Sequence, residues 1–156
     1  MTALVRASSV PAVIDALVAA LSAALGADNV NDGQGASAND GPQYVFVGVD
    51  DPDSDDYQNA ASSSQGWAWL GHQRIDEEIT VHCVAVGWNG NADQKAARDS
   101  VYTVMKVVAD AIVNDPSLGG SALWTLGVVS HDLRQMQDDK GAIAHLRFDV
   151  TCKARL

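Results

Sequence analysis

Only two cysteines, Cys83 and Cys152, occur in the 156-residue chain, too few for a disulfide framework. Both fall at apolar positions of extended segments, which predicts buried, reduced thiols. Basic residues are scarce: 10 Lys and Arg stand against 20 Asp and Glu. The resulting net charge of −10 and pI near 4.5 argue against an autonomous nucleic-acid binder, because phosphates would be repelled on average. No apolar run approaches bilayer-spanning length. The opening residues lack the uninterrupted apolar stretch and cleavage site of a secretory signal, so synthesis in the cytoplasm is expected. HExxH, CxxC, GxSxG, phosphate-loop and strand-linked GxGxxG patterns are also missing. These absences give no support to metal, cofactor or nucleophilic chemistry, and no enzyme activity is expected.

The remaining composition is that of a globular protein, 47% hydrophobic and 19% charged, which fits one domain over 1–156. Its most informative stretch is the last, GAIAHLRFDVTCKARL. Ala142, Ala144, Leu146, Phe148, Val150, Cys152 and Ala154 alternate with Ile143, His145, Arg147, Asp149, Thr151, Lys153 and Arg155. A period of two sustained this long predicts a strand with one face on a core and one polar face of mixed charge.

Upstream, Val10, Val13, Ile14, Leu17, Leu21 and Leu25 recur at helical spacing behind Ser9 and Pro11 and stop at Gly26. Asp15 is this helix's only charge, so more than one side is expected to be covered. Residues 28–43 read as a mobile loop, and 44–49 as a short strand. The acidic and small-polar run 50–66 reads as a second mobile loop. Asp51, Asp53 and Asp55 mimic the start of a calcium loop, but Asp56 stands where glycine is required and Ser62 where a bidentate glutamate is required. Trp67 and Trp69 share one side of a short extended piece. Residues 75–88 alternate as a second long strand, with Ile79, Val81, Cys83 and Ala85 on one side.

A second helix is expected over 92–114, capped by Asn91, with Ala97, Val101, Val104, Met105, Val108, Ala111 and Ile112 as its core stripe. Asp115-Pro116 ends it. Residues 123–130 read as a strand and 132–140 as a polar connection. The order helix, strands, helix, strands predicts an α+β domain: an antiparallel sheet with two main helices on one face. His82 and His145 fall on the less apolar faces of the two long strands and are expected to be sheet neighbours.

From Arg74 onward the chain resembles the tail terminator, or tail completion, proteins of long-tailed bacteriophages, especially those of actinobacteria. The ordered pieces are RIDEEITVHCVAVGW, NADQKAARDSVYTVMKVVADAI, NDPSLGGSALW and the closing strand. The resemblance implies a hexameric ring on the head-proximal end of a finished tail tube. That ring ends tube polymerisation and provides the docking surface for the head–tail connector, while genome DNA passes through the lumen without specific binding. Implied partners are copies of the chain itself, the major tail tube protein and the connector or stopper. The implied location is the virion at the head–tail junction, after assembly in host cytoplasm. Glu77, Glu78, Arg147, Asp149, Lys153 and Arg155 are the expected subunit contacts. Asp50, Asp51, Asp53, Asp55 and Asp56 are candidates for the lumen. A neck adaptor of the same virion is the alternative, and a small-molecule-binding or enzymatic α+β domain a more remote one.

Overall fold

The computed structural model describes residues 7–34, 42–68 and 74–156. Helix α1 (Val10–Leu25) buries Val13, Leu17 and Leu21, starts with proline in its first turn and stops where the Gly26 N–H reaches Ser22 O. A short 3-10 turn (Ala27–Asn29) leads to strands β1 (Val30–Asp32), β2 (Gln43–Val47), β3 (Ala61–Trp67) and β4 (Ile75–Asn89). Helix α2 (Gln94–Asn114) follows, then β5 (Trp124–Asp138) and β6 (Gly141–Arg155).

The expected α+β class holds: two helices pack on one face of a six-stranded sheet of order β1-β2-β4-β6-β5, with β3 also paired to β4. All pairings are antiparallel except β1 with β2, so the sheet is mixed. β4 accepts two strands along one edge, β3 on its first half and β2 on its second. The His82 backbone joins them, its N–H donating to Ala60 O and its carbonyl accepting from the Gly48 and Val49 N–H groups.

All seven alternate residues of β6, from Ala142 to Ala154, are buried in the main core. They meet Ile79, Val81, Cys83 and Ala85 of β4 and the expected stripe of α2. A sheet face built this way needs apolar residues only at every second position, which is why so long a strand can be half polar.

Several boundaries differ from expectation, for local reasons. α2 begins at Gln94 with Asp93 as its cap, the carboxylate accepting from the Ala96 N–H. Asn91 does not serve, because the helix starts three residues later and Ala92 between them has a left-handed φ of 58°. Residues 132–138 are strand and not connection: β5 is a single 15-residue edge strand hairpinned to β6 through Asp139-Lys140. Register shifts at Leu126 and Val129 mark two bulges in it. Residues 61–66 belong to β3, not to a loop. Trp69 and His72 lie outside the described residues, as do 35–41 of the first expected loop.

Candidate assembly surfaces

The sheet face away from the helices is where the charged candidates were expected, and cross-strand register sets what each one meets. Asp76 lies opposite Arg155, Glu78 opposite Lys153, Thr80 opposite Thr151, and His82 opposite Asp149. Arg155 grips Asp76 through Nε and Nη2 at 2.7 and 3.4 Å, and that fork holds the Asp76 carboxyl below its ordinary pKa. Thr80 and Thr151 share a hydroxyl contact of 3.2 Å. His82 and His145 are not neighbours, because the register puts Asp149 opposite His82 and Val86 opposite His145.

Two expectations about this surface need correction. Glu77 is not on it: it shares the parity of Ile79 and Val81, faces the helices and is fully buried. Its Oε1 accepts from the Ser9 N–H at 2.7 Å, and its Oε2 accepts from Ser8 Oγ at 2.6 Å and Gln65 Nε2 at 3.1 Å. Burial alone would raise this carboxyl's pKa, but the hydrogen bonds, with one from Ser63, outweigh it and hold it below the ordinary value. Glu77 therefore anchors the start of α1 to β3 and β4.

The second correction concerns 50–66, expected as one mobile loop: 61–66 are strand, and 50–60 is tied together and to the sheet by hydrogen bonds. Gln58 Oε1 accepts from the Asp50 and Asp51 N–H groups, Asp50 Oδ1 from the Asn59 N–H, and Asp51 Oδ1 from the Asp53 N–H. Arg147 Nε donates to Asp50 O. Beneath lies a second small core of Val49, Val84 and Val86, flanked by Tyr44, Phe46 and Ile143. Asp53, Asp55 and Asp56 remain exposed, whereas Asp50 and Asp51 are half-buried.

Between this loop and the hairpin is a cavity of about 230 Å³ lined by Asp51, Asp53, Arg134, Met136, His145 and Arg147, among others. His145 Nδ1 is 3.7 Å from an Asp53 carboxylate that is 79% exposed, too long for a hydrogen bond. Burial, with Arg134 and Arg147 close by, pushes the His145 imidazole below its ordinary pKa. Among the described residues, no hydroxyl or thiol nucleophile lines the cavity.

A second grouping has the composition of a catalytic triad but not its order. His82 Nδ1 is 2.6 Å from Asp149 Oδ1, and Ser130 Oγ donates to Asp149 Oδ2 at 3.1 Å. The carboxylate sits between serine and histidine, so the imidazole is not placed to take the serine proton. The arrangement ties three strands, β4, β6 and β5, together.

Burial raises the Cys83 thiol pKa to about 12 and that of Cys152 to about 11, and neither is disulfide-bonded. Thiolate is the reactive form, so a thiol reagent at pH 8 is expected to leave both untouched in the folded protein. Both should react within the dead time in guanidinium. Rapid labelling of the native chain would show that this part of the core opens.

What the sequence did not foretell is where the apolar surface lies. Val113, Leu123, Trp124, Leu126 and Val129 are all substantially exposed, and so is Trp67 on β3. Edge strands usually carry charges or proline that discourage further pairing. Here β3 (ASSSQGW) has none, and β5 has none until Asp132. Their outer edges have no strand partner among the described residues. The signal was legible only as a failure of alternation in TLGVV, where Gly127 has a φ of 92° between the two bulges. No protein-family model matches the chain, and no curated protein matches it either.

Proposed function

We propose that the chain is a structural virion subunit, a tail terminator whose hexameric ring caps the head-proximal end of the phage tail tube and offers the connector its docking surface. The observation that carries this reading is the pair of uncharged strands, without a further strand partner among the described residues, on opposite sides of one sheet: β3 and the first half of β5. Opposite and unlike edges suit a head-to-tail contact, which generates a ring when the rotation closes. The ordered sequence pieces from Arg74 onward supply the identity of the ring. Stopping a tube requires one ring face that matches the last tube ring and another that refuses a further tube subunit. The exposed Glu78 and the half-buried Lys153 remain available for such contacts, whereas Arg155 is held by Asp76 within the subunit. Arg147 and Asp149 serve them less directly, since both are engaged within the subunit. A charge of −10 per subunit, multiplied around a ring, lets DNA slide past without adhering, and Asp53, Asp55 and Asp56 are the exposed acids for that role.

Gold-conjugated antibody on free tails and whole virions tests the location. Label is expected as a single cluster at the head-proximal tail end. Label along the tube, on the capsid, or nowhere on the particle contradicts the proposal.

A further inference from the structure

Among the described residues, two helices cover one face of the sheet and leave part of β5 open. α1 lies over β1 and β2, and α2 over β4, β6 and the near side of β5. Beyond α2, on the flank away from α1, an open groove runs between that helix and β5. Met105, Ala109, Ile112, Val113, Leu126 and Val128 give it its apolar lining. Among the described residues, Lys106 is its one lining residue of full charge and no acid lines it, although Asp and Glu outnumber Lys and Arg two to one in the chain. Val113 and Leu126 at its rim are 77% and 57% exposed. Apolar surface of this kind, next to an unprotected strand edge, marks an association site.

We propose that this groove receives α1 of a second copy of the chain. α1 presents outward Pro11, Asp15, Ala19 and Ala23, a face of small residues that permits close helix approach, with one acid to face the rim of His131 and Lys106, the latter already paired with Asp110 at 2.7 Å. α1 also lies on the β1–β2 side of the subunit, opposite to β5. A neighbour that brings its α1 beside α2 therefore brings its own far sheet edge toward β5, and both layers continue across the junction. The contact uses different surfaces on the two copies, so it is head-to-tail. This inference rests on the self-assembling reading above but names the contact that makes the assembly.

The test uses two single-substitution variants of the full chain, Ala19→Cys and Val113→Cys, joined by a short bismaleimide. Both sites are exposed, and the native thiols are buried. Covalent dimers are expected in the mixture of the two, about tenfold above a control mixture of Asp56→Cys with Val113→Cys, because a seated contact raises the effective concentration. Absence of that excess, or equal yields from Val113→Cys alone, overturns the inference. Val113→Glu gives the second reading: unchanged circular dichroism with loss of the oligomers seen by sedimentation. Oligomers that persist in Val113→Glu also overturn it. A missing cross-link in a phage whose tails still depend on the protein for their length sinks the groove contact alone. A clear cross-link with normal tails in its absence sinks the terminator reading alone.

Discussion

A Glu77→Ala protein is expected to lose about 3 kcal/mol of folding stability, a large fraction of what a domain of this size has. Removing the carboxylate leaves the buried Ser9 N–H, at the first turn of α1, without its acceptor. It also strips Ser8 and Gln65 of a charge-assisted partner. α1 then keeps its packing but loses its tie to the sheet, since Ser9's own side chain makes no cap hydrogen bond. The melting temperature should fall by about 6–12 °C. The pH dependence has a definite sign. The folded-state pKa of Glu77 is depressed, so its contribution is fully present above the unfolded value near 4.5 and is lost as pH falls through the lower folded value. Urea denaturation from pH 7 down to 3 should therefore show wild type losing more stability than Glu77→Gln below about pH 4.5. Parallel losses in the two proteins would show that another carboxylate governs the acid limb.

Gly141→Ala should be at least as damaging, at about 4 kcal/mol, for two independent reasons. Gly141 opens β6 with a φ of 136°, a region that L side chains rarely adopt. An added Cβ would lie 2.2 Å from Asn89 O and 3.0 Å from Gly90 Cα, backbone atoms that cannot swing aside. The hairpin turn after Asp138 and the turn that leads into α2 meet there, so relief by local movement disturbs both. Expression in inclusion bodies, or a melting temperature lower by about 8–16 °C, is the expected result. A substitution at Gly119, which also has positive φ but no neighbouring atom within 4 Å, should cost far less. Equal costs at the two positions would refute the steric part of the argument.

These two residues also show what a sequence of this kind discloses and what it conceals. β6 was legible in full, because seven core residues alternate without interruption and no helix could segregate them. α1 was legible to its exact ends, since its spacing, Pro11 and Gly26 agree. β3 was hidden: ASSSQGW has no apolar face, and it is a strand because β4 supplies its hydrogen bonds. The second half of β5 was hidden for the same reason, being an exposed edge whose extension follows from pairing with all of β6. Glu77 and Glu78 form one acidic dipeptide in the sequence, and only strand parity separates the buried anchor from the exposed charge. Pairings such as His82 with Asp149 and Arg147 with Asp50 span 67 and 97 residues. They depend on register and loop path, which local pattern does not encode. The apolar edge was obscured by two bulges that break the alternation where it mattered most.

The most direct measurement of the central claim is the tail-length distribution, by electron microscopy, in a phage lacking this gene. The account predicts tails far longer than the normal length, with few joined to heads, and restoration by the intact gene supplied in trans. Tails of normal length beside unjoined filled heads would contradict it and favour the neck adaptor. Intact infectious virions would remove the protein from tail assembly altogether.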